Sequence, residues 1–155
     1  MNINKFTQKS IEAVQACEKL AYEYGNQQME QEHLLASLLM LEDSLILKLI
    51  TKMNINGNQF LDEVKQALNK LPKVSGGQLY VSNDLNKVLI HGEDEAKAMG
   101  DEYVSVEHLF LAMLKEPSRS IKELFRQYGL TRENFLKALS SVRGNQRVVS
   151  DNPEV

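Results

Sequence analysis

Two glutamate-histidine pairs are the parts of this sequence whose residue types could do chemistry. Glu32-His33 opens the stretch EHLLASLL, and Glu107-His108 opens the similar stretch EHLFLAML, 75 positions later. A carboxylate beside an imidazole could move protons or bind a metal ion. Either role needs further residues, so the rest of the sequence decides between them.

The sequence does not supply the other parts of a metal site or of a hydrolytic site. It has 3 histidines, and neither pair continues into the HExxH pattern that places two imidazoles on one helical face. The single cysteine, Cys17, falls on the inner face of a predicted helix, and no GxSxG nucleophile turn occurs. The GxxxxGK[ST] phosphate loop is also missing. We therefore expect this chain to have no catalytic residues, no metal and no cofactor of its own.

Both pairs have a structural explanation instead. Glu32 and Glu107 fall in the first turn of a predicted helix, where a carboxylate interacts favourably with free backbone N–H groups and with the positive end of the helix dipole. A histidine at the next position could bridge the start of the helix to a neighbouring loop. We therefore predict a structural role for His33 and His108.

The two pairs belong to a longer internal repeat. At an offset of 75 and without a gap, Gly25 aligns with Gly100, and Phe60 aligns with Phe135. Apolar positions are kept and most polar positions differ, as in a repeated structural module, because packing constrains the buried positions far more than solvent constrains the exposed ones. The sequence therefore predicts a duplicated unit of about 62 residues.

Apolar residues within each unit follow helical spacing. Thr7 as N-cap and Gly25 as a stop predict a first helix through Tyr24, and Ser82 and Gly100 repeat this arrangement in the second unit. Six further helices are predicted at 31–41, 45–53, after 56, 106–116, 120–128 and after 131. We therefore predict an all-α fold, a pseudo-twofold bundle of two four-helix repeats with eight helices.

Proline and glycine residues divide the sequence into segments. We predict a first repeat at 1–71, a linker at 72–81 that contains Pro72 and the Gly76-Gly77 pair, and a second repeat at 82–143. Residues 144–155 combine Gly, Asn, Ser and Pro without periodicity, which predicts an exposed, flexible tail.

Composition and charge narrow the class of protein. The chain has 155 residues, 43% of them hydrophobic and 25% charged, which is typical of a globular domain. A formal net charge of -3 without a basic cluster argues against a nucleic-acid surface. The polar start MNINKFTQKS is not a signal peptide, no apolar run approaches the ~20 residues of a membrane span, and a lone cysteine suits a reducing compartment. We therefore expect a cytoplasmic location without nucleic-acid or membrane partners.

Longer phrases of the sequence resemble one known family. They are KFTQKSIEAVQACEKLA, ALNKLPKVSGGQLYVSNDLNKVL, EAKAMGDEYVSVEHLF and LTRENFLKALSSVRGNQRVVSDNPE. Together with the two EHL stretches they cover essentially the whole chain, and they resemble the N-terminal domains of the ClpB family, ring-forming bacterial disaggregases of the AAA+ class. The resemblance implies that two ATPase modules, which use ATP and Mg, and a coiled-coil arm lie outside this sequence.

The resemblance also implies a function and partners. The expected role is weak capture of unfolded or aggregated polypeptides for threading by a homohexameric ring, with an Hsp70-type chaperone system as a partner of the full-length protein. The isolated domain is expected to be a monomer. The alternative is docking of a folded adaptor protein, as in the proteolytic relatives ClpA and ClpC.

Seven residues are predicted to contact substrate. Thr7, Asp101 and Glu107 agree in residue type with three polar positions of the family that are implicated in handling aggregates. Tyr103 lies in the turn between the first two helices of the second unit, and an amphipathic side chain there suits partner contact.

The other three candidates come from an apolar groove that the family carries along those two helices. Its positions fall on His91, Glu95 and His108, which are more polar than the leucines of the family. We expect apolar side chains around this turn to hold hydrophobic segments.

Overall fold

The computed structural model describes residues 2–144 and 146–153. Within those ranges a short 3-10 helix (Ile3–Lys5) precedes eight α-helices. These are α1 (Gln8–Tyr24), α2 (Gln31–Met40), α3 (Leu45–Lys52), α4 (Gly57–Asn69), α5 (Asn83–Ala98), α6 (Val106–Lys115), α7 (Arg119–Gln127) and α8 (Arg132–Arg143). The predicted all-α fold with four helices in each repeat is confirmed.

Local signals set the ends of the longest helices. Thr7 and Ser82 cap α1 and α5, since their hydroxyl oxygens accept hydrogen bonds from the backbone N–H groups of Ser10 and Leu85. Gly25 ends α1 with φ 71°, a left-handed conformation that only glycine adopts without steric cost. The predicted caps are therefore present at equivalent positions of the two repeats.

The central helices of the bundle are α2 and α6. Residues 31–39 of α2 and 106–113 of α6 are buried on every side, so these two helices form the middle of one continuous core. Phe110 of α6 packs its ring against Phe125 and Phe135, with ring centroids 5.7 Å and 4.6 Å away. The other helices surround this pair and leave their polar faces in solvent.

Two short backbone pairings join the repeats reciprocally. The strand β1 (Gln28–Met29) pairs in parallel with β2 (Tyr80–Val81), just before α5. The reciprocal pairing is an isolated parallel bridge between Phe6, just before α1, and Val104 of the second repeat. The segment that leads into the first helix of each repeat is thus held by the other repeat, a pairing that helical periodicity does not signal.

Residues 146–153 are exposed except at one position. Val148 is buried, and its carbonyl oxygen accepts hydrogen bonds from the N–H groups of Glu102 (2.8 Å) and Tyr103 (3.3 Å). The segment therefore lies against the turn between α5 and α6, because Val148 is buried there and the backbone N–H groups of the turn gain hydrogen-bond partners. In the described part of the chain, no helix has both the length and the apolar character that a membrane crossing requires.

Candidate functional site

His33 and His108 occupy equivalent positions and make equivalent hydrogen bonds. The Nδ1 of His33 accepts from the backbone N–H of Glu30 (2.8 Å), and that of His108 accepts from the N–H of Ser105 (2.8 Å). This leaves the proton on Nε2, which in His33 donates to Asn26 Oδ1 at 2.9 Å. Each ring thus ties the start of its helix to the preceding turn, and the predicted bridge is present in both repeats.

Burial makes His33 a neutral side chain. Its ring has no solvent-exposed surface, and desolvation lowers its pKa from 6.5 to about 4. The unfolded chain therefore binds a proton between these two pH values and the folded chain does not.

Stability is expected to fall as the pH falls through this window. Linkage of the pKa values 6.5 and about 4 predicts a loss of about 2 kcal/mol between pH 7.5 and pH 5 from His33 alone. Urea unfolding of the wild type and of His33→Gln at both pH values measures it, because the difference between the two proteins removes the contribution of other groups. Equal pH dependence in the two proteins would contradict the assignment.

A Ser-His-Asp arrangement is formed by Ser105, His108 and Asp101, but it has no chemical access. Ser105 Oγ lies 3.1 Å from Nδ1 of His108, whose Nε2 lies 2.7 Å from Asp101 Oδ2. The Nδ1 lone pair already accepts the Ser105 N–H, so it does not serve as a base for the hydroxyl. All three residues are buried. The arrangement is a structural network.

Asp101 is the centre of this network. Besides His108, its carboxylate accepts hydrogen bonds from the guanidinium of Arg143 and from the backbone N–H of Val148, the latter at 2.8 Å. Burial by itself would raise the pKa of Asp101, but the hydrogen bonds from Arg143, Val148 and His108 outweigh it and hold the pKa below its usual 3.8. The ionised carboxylate therefore binds α6, α8 and the segment 146–153 together.

Thr7 and Glu107 lie around the same turn as Asp101. The Thr7 N–H donates to the carbonyl oxygen of Val104 (3.0 Å), between Asp101 and Glu107 in the chain. Glu107 accepts a hydrogen bond from Ser105 Oγ and lies 3.6 Å from the Arg143 guanidinium. The structure thus brings the three polar candidates together, and all three are buried.

Tyr103 is the accessible member of this group. Its ring is half-buried, and the Lys5 ammonium lies 5.8 Å from the ring centroid. Contact between a partner and this turn would therefore involve Tyr103 first, and the role of all four residues in substrate binding stays a prediction.

The groove predicted on α5 and α6 is not an open apolar surface at its three assigned positions. Glu95 is 4% exposed and forms a bidentate ion pair with Arg132, one of whose hydrogen bonds is 2.8 Å long. His108 is buried in the network described above, while His91 is half-exposed and pairs with Glu116. Charged and polar side chains require such partners when buried, which turns Glu95 and His108 away from solvent.

An apolar cleft elsewhere was missed by the sequence reasoning. It lies between the start of α3, the end of α8 and the segment 146–153, has a volume of about 410 Å³, and borders Glu107 and Arg143. Its apolar lining comprises Leu41, Leu45, Val106, Leu139, Val142 and Val148. Val142, near the end of α8, is 54% exposed and faces solvent at the cleft. In the sequence, the only sign of this cleft was an apolar residue at the end of the apolar stripe of a helix.

The charged residues around the cleft carry both signs. Lys9, Lys48 and Arg147 line it together with Glu42 and Asp43. Within residues 2–144 and 146–153, no three His, Cys, Asp or Glu side chains converge to hold a metal ion. The arrangement therefore suits binding of a mostly apolar segment within a polar rim.

This fold and site define a class of protein. Its members are helical modules of two repeats, with a structural histidine at the start of the second helix of each repeat. The chain matches the Clp repeat (R) N-terminal domain over residues 5–128, and it belongs to that family. The resemblance found in the sequence is thereby confirmed.

Relatives and solved structures agree with this assignment. The chaperone protein ClpB of Nitratidesulfovibrio vulgaris is 41% identical over 160 residues, which cover 99% of this chain and 18% of that protein. ClpB of Bacillus anthracis is 36% identical over 159 residues, with the same coverage. The chain thus spans about 18% of the length of these curated relatives. The crystal structure of the Hsp104 N-terminal domain from Candida albicans superposes with a TM-score of 0.82 at 25% identity, covering 95% of this chain and 97% of that one.

Proposed function

We propose that this domain is the substrate-binding N-terminal module of an ATP-dependent disaggregase, which captures unfolded or aggregated polypeptides and passes them to a hexameric ring. The parent protein would supply the ATPase modules, with ATP and Mg, and the contact with an Hsp70-type system in the cytoplasm. The domain itself would bind without turnover. The similarity of the whole chain to ClpB proteins supports the assignment to such a parent.

The observation that carries the binding role is the apolar cleft beside Glu107. Its half-exposed Val142 and the apolar residues beneath it offer a hydrophobic segment a place to bury side chains, and the charged rim keeps the domain soluble. A volume of about 410 Å³ lies near the small end of the range for ligand sites, so it holds only a short stretch of chain.

A small site of this kind implies weak binding, which suits transfer. Affinities between roughly millimolar and micromolar correspond to about −4 to −8 kcal/mol and allow fast release. Several tethered copies in a ring would recover avidity, because a short flexible linker supplies effective concentrations around the millimolar range.

Replacement of Val142 by aspartate tests the cleft directly. Chemical-shift titration of the 155-residue chain with an unfolded apolar client should show fast-exchange shifts at the cleft and at Tyr103, and no shifts with a folded control protein. Val142→Asp is expected to weaken this binding about tenfold, since it places a charge where apolar surface must be buried. Val74→Asp is the matched control, because Val74 is also half-exposed, at 47%, and lies in the 72–81 linker.

Two results would contradict this proposal. One is the absence of client shifts at millimolar concentration, and the other is equal weakening by Val142→Asp and Val74→Asp.

Docking of one defined protein partner is the second candidate. The N-domain of ClpV, which shares this fold at 22% identity and a TM-score of 0.72, has been solved in complex with a VipB peptide. A related domain therefore binds one particular peptide. The same titration separates the candidates, because a substrate module responds to many unfolded clients, whereas a docking module saturates with one folded or peptide partner at a fixed stoichiometry.

A further inference from the structure

Residues 146–153 lie along the second repeat as a strap, and one buried side chain anchors them. Of these residues Val148 is buried, while its neighbour Val149 is 61% exposed. The Val148 N–H donates to Asp101 Oδ1 (2.8 Å), and its carbonyl oxygen accepts from the N–H of Glu102 (2.8 Å). A segment with so few buried apolar contacts has low local stability.

Two further hydrogen bonds hold the ends of this strap. The guanidinium of Arg143, paired with Asp101 and Glu107, donates from Nε to the carbonyl oxygen of Gln146 (3.0 Å). Further along, the carbonyl oxygen of Asp151 accepts the N–H of Gln8 (2.7 Å), the first free amide of α1 after its Thr7 cap.

The first repeat shows what this site looks like without a charge. Asn26 stands where the second repeat has Asp101, and its side chain donates to the carbonyl oxygen of Pro72 (3.0 Å), in the linker that follows α4. The Val74 N–H donates to the Gly25 carbonyl oxygen (2.9 Å). Both repeats thus bind the segment that follows their last helix, and only the second does so with a buried carboxylate and an arginine.

We propose that Asp101 and Arg143 form a latch that docks residues 146–153. Release of the latch frees the strap and removes one wall of the apolar cleft, to which Gln146, Arg147, Val148 and Pro153 contribute. Asp101 then influences the cleft through the strap, although its own side chain is buried. The proposal goes beyond the function proposed above. Its test uses no client polypeptide, so either proposal can be wrong without affecting the other.

Hydrogen exchange of single amides tests whether the strap is docked. In Val148→Ser the Glu102 amide is expected to exchange at least tenfold faster than in the wild type, because its acceptor on Val148 leaves with the strap. Val149→Ser is the matched control, the same substitution one residue further along at an exposed position, and should leave the Glu102 amide protected. Amides of the buried helix α6, such as Leu111, should exchange at wild-type rates in both variants, which separates release of the strap from global unfolding.

Asp101→Asn provides the second arm of the test. It removes the charge that pairs with Arg143 and is expected to accelerate exchange of the Glu102 amide as Val148→Ser does. Equal protection of Glu102 in Val148→Ser and Val149→Ser would overturn the strap, and unchanged protection in Asp101→Asn would overturn the latch. If Asp101→Asn fails to fold, Arg143→Gln removes the same ion pair from the other side, and unchanged protection of Glu102 in that variant would overturn the latch.

Discussion

Asp101→Ala is expected to lower the free energy of unfolding by about 3 to 5 kcal/mol, the usual cost of removing one partner of a buried ion pair. Three donors lose their acceptor together, namely the guanidinium of Arg143, the Nε2–H of His108 and the Val148 N–H. Arg143, whose side chain is 8% exposed, then keeps as its ion pair only the longer contact with Glu107, at 3.6 Å. Urea unfolding at pH 7, followed by far-ultraviolet circular dichroism, measures the change.

The repeat supplies the control for this substitution. Asn26 occupies the equivalent position, is also buried, and makes neutral hydrogen bonds to His33 and Pro72. Asn26→Ala is expected to cost about 1 to 3 kcal/mol, the penalty for unsatisfied neutral groups. A loss in Asp101→Ala no larger than that in Asn26→Ala would show that the charge network adds nothing to stability.

The ion pair between Glu95 and Arg132 is expected to respond unequally to loss of either partner. Arg132→Met leaves the carboxylate of Glu95 buried at 4% exposure without its cation, which should cost about 3 kcal/mol. Glu95→Gln leaves Arg132, which is 37% exposed and can turn towards water, so a loss of about 1 kcal/mol is expected. Urea unfolding of both variants tests this asymmetry.

The double variant completes the comparison. Glu95→Gln combined with Arg132→Met removes the buried charge and its partner together, so it should be more stable than Arg132→Met alone. Two results would contradict this expectation: equal losses of stability in the two single variants, or a loss in the double variant that equals their sum. Either result would mean that removal of Arg132 does not leave Glu95 as an unpaired buried charge.

The helices and their ends could be predicted because their causes are local. Thr7 and Ser82 were predictable as caps, since the hydroxyl bonds to a backbone group three residues away. Gly25 was predictable as a stop because the left-handed conformation depends on the residue itself. The repeat boundaries 1–71 and 82–143 stay predictions that rest on the internal alignment alone.

The candidate site was predictable only in part. That Thr7, Asp101 and Glu107 belong together followed from the family resemblance, and their shared turn follows from the structure. The assignment of Glu95 to an open groove could not be checked from the sequence, because its partner Arg132 lies 37 positions away. Glutamate spacing does not show whether a carboxylate faces water or a distant arginine.

The sequence by itself determined the helical repeat, its caps and the absence of nucleotide and metal motifs, because these depend on spacing and on neighbouring residues. Only the tertiary structure decided which side chains remain accessible. The cleft exists because α3 of one repeat meets α8 of the other, and the strap is held because Val148 reaches Asp101, 47 positions away in the chain. Such contacts depend on how the two repeats pack, and no local pattern in the sequence encodes them.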